Sequence, residues 1–455
     1  MADANGNSWE EKDRANVLHG FTDFPSLKEN GPVILTHGEG IHVFDVHGKR
    51  YLDANSGLWN NVAGFNHKGI IEALTAQAER FPGYHSFFGR IADVTVALSE
   101  RLIALSPFDS GKVYYTNSGS EANDTMVKML WMINRRKGQP ERRKIITRVN
   151  AYHGVTIATS SMTAKPYNGE FGLPLPGFLH ADCPHYWRFG LEGETEEAFT
   201  ERMARNLKDL IEREGPETIA GMFAEPVQGA GGVIPPSKGY FAAIRPVLRE
   251  YDIPLIADEV ICGFGRLGEM WGSDYYDMQP DAIITSKCIT AGYYPMGAVI
   301  LGERLAAEMQ AASEAAEEFP HGFTAAGSPL GSAVALKALD VIENDGLIDN
   351  VRALTPYFLK RLSRFGDHPH AGEVRGVGFM GAIEIVADKK RKTPFDGKLR
   401  ISERIANKAL EKGLICRPLG ASVVLAPPFI ITRDELDTMF DLLEETFAAV
   451  FAEIG

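Results

Sequence analysis

Two stretches decide the fold: Ile253-Pro254-Leu255-Ile256-Ala257, which delivers Asp258-Glu259, and Ala282-Ile283-Ile284-Thr285-Ser286, which delivers Lys287. Short apolar runs closed by polar residues read as buried strands of an α/β sheet. Ligands of such sheets bind outside the carboxyl ends of the strands. A carboxylate and an amine are thus expected at one rim of a buried sheet. An unpaired buried charge is expensive, so the two groups imply a ligand that uses both. A lone Lys or Asp after a strand is more often a solvated loop charge, and the reading depends on what else reaches that rim.

Three further stretches do. Val113-Tyr114-Tyr115-Thr116 reads as a strand, Asn117-Ser118-Gly119-Ser120-Glu121-Ala122-Asn123 as a turn of small residues, and Met126 to Met132 as a helix. A helix start offers free N–H groups and the positive end of its dipole, which suits a phosphate. Gly119 allows close approach, and Ser118 and Ser120 add hydroxyls. An ordinary helix N-cap explains Ser-Gly-Ser-Glu equally well. The strand Lys144 to Val149 leads to Asn150-Ala151-Tyr152-His153-Gly154. There an aromatic could stack on a planar ring, or merely anchor a loop. Gly221-Met222-Phe223-Ala224 delivers Glu225. Phosphate, ring face, ring nitrogen and aldehyde would each meet one strand end, which suits pyridoxal 5′-phosphate held through a lysine Schiff base opposite an acid.

The same stretches resemble the class III, omega-type pyridoxal-phosphate aminotransferases. The resemblance runs from about Trp59 to about Pro428. It is carried by Asn117 to Asp124, Ala151-Tyr152-His153-Gly154, Ala224-Glu225-Pro226, Ala257-Asp258-Glu259-Val260 and Ser286-Lys287, with Gly292 to Ala298 and His321-Gly322-Phe323-Thr324. It implies the aspartate-aminotransferase-like fold (fold type I), with a large doubly wound mixed-sheet domain and a small α+β domain built from both termini. Lys287 would carry the cofactor and shuttle the substrate proton, and Asp258 would pair with the pyridine nitrogen. Glu225 would sit near the ring oxygen and Asp258. Tyr152, with His153 beside it, and Val260 would flank the ring. Ser118, Gly119 and Ser120 would hold the phosphate, helped by Thr324 from a partner subunit. Trp59, Phe87, Phe88, Tyr152 and Ala230 would line the substrate pocket, although ordinary packing also explains the aromatics. Arg417 matches a mobile arginine that would clamp a carboxylate, a task suited to its paired donors; a surface ion pair is the alternative. In one departure, Cys288 stands after the lysine, where this family commonly has Gly.

Composition fits a soluble cytosolic enzyme. Of 455 residues, 24% are charged and 44% hydrophobic, ordinary globular values. A net charge of −13 argues against nucleic acid or an anionic membrane as partner. The scattered Cys183, Cys262, Cys288 and Cys416 suggest neither a zinc site nor a disulfide framework. The first twenty residues are polar, without a signal-peptide core, so the cytoplasm is expected.

Residues to about 75 hold a β-hairpin around Val46-His47-Gly48 and are expected to start the small domain. Alternating helices and strands from about 76 to 325 form the large domain, and 326–455 complete the small one. Helices are expected over Glu201 to Arg213, Ser332 to Glu343 and about Leu436 to Phe451, and the acidic run Glu192 to Glu197 as a solvated loop and helix start. The resulting expectation is an aminotransferase that moves an amino group from an amine or omega-amino acid to a keto acid, with pyruvate as acceptor. A homodimer with shared active sites, or a tetramer, is expected. A decarboxylating aminotransferase, an aminomutase or a catalytically silent binding protein of the same fold are the alternatives.

Overall fold

A computed structural model describes residues 8–454; the part of the polar N-terminal stretch before Ser8 lies outside the described residues. The first strands are β1 (Leu35–Glu39), β2 (His42–Asp45) and β3 (Arg50–Asp53). The β2–β3 pair is the expected hairpin, while β1, exposed along most of its length, has no apolar pattern to announce it. Seven strands then form the central sheet: β4 (Gly111–Thr116), β5 (Lys144–Arg148), β6 (Phe178–Ala181), β7 (Ile219–Ala224), β8 (Leu255–Asp258), β9 (Ala282–Thr285) and β10 (Gly297–Gly302). The last strands are β11 (Ala371–Val377), β12 (Met380–Ile385), β13 (Leu414–Ile415), β14 (Arg417–Leu419) and β15 (Ser422–Leu425).

The central order is β4-β10-β9-β8-β7-β5-β6, and only β10 runs antiparallel to its neighbours. Strands β7 to β10 are buried at every position, as their unbroken apolar runs require when helices cover both faces. The strand before Asp258 starts at Leu255 rather than Ile253, because Pro254 can donate no ladder bond and only its carbonyl pairs, with Met222 N–H.

The helix Gly119–Arg136 is capped by Ser118, whose Oγ accepts from Glu121 N–H. It buries Ala122, Met126, Met129, Leu130 and Ile133, spaced three or four apart, against the sheet. A Cβ on Gly221 would meet Leu130 Cδ1 at 2.8 Å, so glycine sets how close this helix lies. The helix expected from Glu201 begins at Glu196, because Thr195 accepts from Ala198 N–H. The acidic run before it is solvated except at Glu194, which is paired with Arg202 at 2.7 Å. The helices Pro329–Asn344 and Arg433–Ile454 are each longer than their apolar cores suggested.

Both chain ends meet in the smaller part. β13 pairs parallel with β3, closing the sheet β1-β2-β3-β13, and β11-β12-β15-β14 form a separate antiparallel sheet. A helix over Lys68–Arg80 crosses the 75/76 position where the large domain was expected to begin. Among the described residues, no helix is long and apolar enough to cross a membrane.

Candidate active site

The carboxyl ends of β4, β5, β7, β8 and β9 open on one cavity of about 200 Å³. It is lined by Ser118, Gly119, Ser120, Tyr152, His153, Glu225, Asp258, Val260 and Lys287, with Gly154, Ile261 and Ser286. Residues from five separate stretches of sequence therefore converge there.

Strand alternation separates the acidic pair that opened the sequence reading. Asp258 faces the cavity. Its Oδ2 accepts from His153 Nδ1 at 2.7 Å and from Asn123 Nδ2 at 2.8 Å, and its Oδ1 from Val260 N–H at 3.1 Å. Glu259 turns away and accepts from the amides of Gly272 at 3.0 Å and Ser273 at 2.5 Å; burial pushes its carboxyl up to about 7. Glu225 accepts from Tyr152 N–H and Gly229 N–H, both at 3.1 Å. Burial raises its carboxyl, opposed by His153 and Arg148 and reinforced by Asp258.

Lys287 follows β9 with φ 47°, a left-handed conformation that costs a side-chain-bearing residue about 1–2 kcal/mol. Strain held in this way marks a position fixed by its surroundings for a task. Among the described residues the ammonium donates no hydrogen bond, and burial lowers its pKa below the ordinary lysine value, with Asp258 opposing the effect and Arg417 adding to it. Cys288 is 1% exposed, and its thiol donates to Trp59 O at 3.3 Å. The residue that departs from the family pattern thus fills a buried site and ties the lysine's neighbour to the 56–59 segment.

At the helix start the structure shows the N-cap and keeps room for the phosphate reading. Ser118 is a true N-cap, and Ser120 Oγ accepts from Val155 N–H at 3.2 Å. The amides of Gly119 and Ser120 donate to no protein acceptor among the described residues, which leaves the anion cradle open. A Cβ on Gly119 would lie 2.8 Å from Val260 Cγ2, so glycine is needed for Val260 to approach as well as for the backbone.

Other expected residues lie outside this cavity. Trp59 is 1% exposed, with φ 66° and an Nε1 without a partner, and belongs to a cluster with Val227, Val233 and Ile261. Ala230 lies three residues beyond Val227, in the turn after β7. Arg417, at the start of β14, is half-buried and its guanidinium has no ion pair or hydrogen bond among the described residues; burial lowers its pKa, while Tyr152 and Tyr167 act against that. Phe88 is 83% exposed and Thr324 is exposed. Phe87 packs by Gly322, whose Cβ would meet its ring at 2.2 Å. These three form a surface region of their own.

The donor set fits pyridoxal 5′-phosphate. Free amides and hydroxyls would suit a phosphate, a carboxylate held on one side would suit a cation, and an amine with a depressed pKa would suit a carbonyl. The family model "Aminotransferase class-III" matches residues 25–447. The chain belongs to the class III aminotransferases. It is a pyridoxal-phosphate-dependent transaminase. A PMP-bound aminotransferase from Vibrio fluvialis is 64% identical, with TM-score 0.98 and 99% of each chain covered. An omega-aminotransferase from Paracoccus denitrificans is also 64% identical at TM-score 0.98, covering 99% of this chain and 100% of its own. Gamma aminobutyrate transaminase 1, mitochondrial, from Solanum lycopersicum is 42% identical over 93% of this chain and 83% of its own length.

Sequence reading missed how the site is braced. Asn123 and His153 both lie in quoted motifs, but nothing in their spacing shows that they meet on one Asp258 oxygen. Arg148, fully buried behind Glu225 and donating to its backbone oxygen at 2.5 Å, gave no signal beyond being a charge in a strand. Tyr167 is brought near Arg417 only by the fold.

Proposed function

We propose that this enzyme transfers the amino group of a primary amine or omega-amino acid to a keto acid, with pyruvate as acceptor, in two half-reactions at one site. The observation that carries the reading is the placement of Lys287 and Asp258 in the cavity that also holds the open helix start at Gly119 and Ser120. Bound pyridoxal phosphate supplies an electron sink for the pair released when the substrate C–H bond breaks. Ser118, Gly119 and Ser120 bind its phosphate, and Tyr152, His153 and Val260 enclose its ring. Asp258, oriented by His153 and Asn123, holds a proton on the ring nitrogen, because an adjacent opposite charge favours the charged form. Glu225 positions the ring's oxygen side. Lys287 would hold the cofactor and, when free, would carry the substrate proton. Its lowered pKa suits a base.

Substrate choice falls to Tyr152 at the cavity and to residues outside it. Arg417 has no partner among the described residues and can pair with a carboxylate through two parallel hydrogen bonds, leaving a neutral amine to Trp59, Tyr152 and Ala230. Phe87, Phe88 and Thr324 serve the second subunit of a homodimer, with Thr324 of the partner subunit at the phosphate. The exposed apolar residues Phe21, Val155, Ile157 and Phe171 around a cavity of about 980 Å³ support a subunit contact, since monomers rarely leave such patches open. A tetramer would pair two such dimers. The cytoplasm is the proposed compartment.

The test loads the protein with pyridoxal phosphate and adds amines singly, following the cofactor absorbance, then adds pyruvate. Amines should bleach the band and pyruvate should restore it with one alanine formed per site. Release of stoichiometric carbon dioxide, or return of nitrogen to the donor's own skeleton, would replace this reading with a decarboxylating aminotransferase or an aminomutase.

A further inference from the structure

Arg375 on β11 is a buried arginine that the proposed chemistry does not use. Its Nε donates to Val233 O at 2.9 Å and Gly232 O at 3.1 Å. Its Nη2 donates to Gly232 O at 2.7 Å and Ser422 Oγ at 2.9 Å. Its Nη1 is held by Glu373 at 2.7 Å and Glu384 at 2.9 Å. The acids are anchored in turn, Glu373 by His185 at 2.7 Å, and Glu384 by Arg188 at 2.5 Å and Ser422 Oγ at 2.9 Å. Every arm of the guanidinium is engaged, and in a low-dielectric interior such a satisfied network rigidifies what it touches.

It touches two walls of the site. The first is the turn Gly229 to Val233, which contains Ala230 and is closed by the Gln228–Ile234 bridge. At its near end, Gly229 N–H donates to Glu225 Oε2, and a Cβ on Gly229 would press within 2.6 Å of Ile261 Cδ1; Glu225 and Ile261 both line the cavity. At its far end, Gly232 has φ 117°, and a Cβ there would lie 3.1 Å from Arg375 Nη2. The second wall is the β14–β15 pair, where Ser422 faces Leu419 and Val424 faces Arg417 in register.

We infer that Arg375 is a positioning residue for substrate specificity, fixing the Ala230 turn against Glu225 on one side and against the Arg417 strand on the other. The turn's four glycine and alanine residues, Gly229 to Gly232, have no side chains large enough to pack it, so its position is set by the hydrogen bonds at its two ends. Without the Arg375 fork, the carbonyls of Gly232 and Val233 lose their buried donor and the turn is free to withdraw. The pocket beside the ring then widens. This rests on the proposed role of Ala230 as the wall of that pocket.

The test compares the holoenzyme with Arg375→Met, Arg375→Lys and Ser422→Ala, and uses Ala230→Gly as reference. Single-turnover kcat/KM is measured for 1-phenylethylamine and 1-phenylpropylamine, which differ by one methylene in the smaller substituent. Hydrogen exchange is followed in the peptide covering Gln228 to Ile234. Arg375→Met should lower the methyl-over-ethyl preference at least about fivefold, a part of the roughly 10- to 200-fold that one methylene is worth in a tight pocket. The change should appear in KM for the larger amine, with faster exchange in the turn. Arg375→Lys, which keeps the charge but cannot span Gly232, Glu373 and Ser422 together, should fall between. Should Arg375→Met not fold, Arg375→Lys and Ser422→Ala carry the same comparison. If Ala230→Gly relaxes the preference and the Arg375 and Ser422 variants do not, the inference is overturned while the pocket reading stands. If Ala230→Gly also leaves the preference unchanged, Ala230 is not the wall, and the inference falls with that reading.

Discussion

Replacing Arg417 with alanine should split the two halves of the reaction. The guanidinium is half-buried and engages no carboxylate among the described residues, so its removal breaks no ion pair there and the loss reports on substrate. A charge-assisted, paired hydrogen bond to a carboxylate contributes about 1.5–3 kcal/mol, or roughly 10- to 150-fold in rate or affinity. That factor should fall on alanine and pyruvate, and an uncharged arylalkylamine should react nearly as before. A second effect is common to both substrates. Arg417 helps to hold the Lys287 pKa down, so in Arg417→Ala that pKa should rise and the alkaline rise of the pH–rate profile should move to higher pH. The assay is single-turnover kinetics with alanine and with 1-phenylethylamine across pH, taking the ratio of losses on the plateau so that the shared effect cancels. Equal losses for both substrates would refute the clamp and make Arg417 structural.

Three further outcomes are expected. Asp258→Asn keeps the shape between His153 and Asn123 but removes the charge, and proton abstraction should slow roughly 10- to 1,000-fold, the span over which a neighbouring carboxylate shifts a protonation equilibrium; an undiminished single-turnover rate would remove Asp258 from the mechanism. In Gly119→Ala the new Cβ meets Val260 at 2.8 Å, an overpacking that costs about 1–3 kcal/mol, so pyridoxal phosphate should bind roughly tenfold or more weakly by titration, and unchanged affinity would contradict the cradle. His321 is held down to about 4 by burial and by Lys128, so the folded chain resists a proton that the unfolded chain takes near 6.5. Stability should therefore fall as pH drops through this window, and His321→Gln should flatten that part of the curve in denaturant melts; an unaltered slope would contradict it.

Much of this was legible in the sequence because the cofactor fold places chemistry at strand ends, where an apolar run stops and a polar residue begins. That pattern marked β7, β8 and β9 and the residues that follow them. It could not separate Asp258 from Glu259, since which face a residue takes depends on where its strand starts in the ladder. The edge strand β1 was missed because it is exposed and lacks the apolar signature. Braces such as His153 and Asn123 on Asp258, or Arg375 on Gly232, join positions far apart in the chain. Only packing brings them together, and no local periodicity encodes them. Cys288 shows the same limit: its neighbour Lys287 was plain, but the bond to Trp59 spans 229 positions. Phe87, Phe88 and Thr324 lie outside the cavity, and their place at a site shared between two subunits is a proposal.

The central claim is that Lys287 carries the cofactor, and it has one rival in the fold. Lys165 is also held below its ordinary pKa by burial and also senses Glu225. Reduction of the loaded enzyme with borohydride, digestion and mass spectrometry would locate the cofactor directly. The account predicts the pyridoxyl mass on the peptide containing Lys287, one per chain, and none in Lys287→Ala. Recovery of the label on Lys165 or any other lysine of the wild-type enzyme would contradict it.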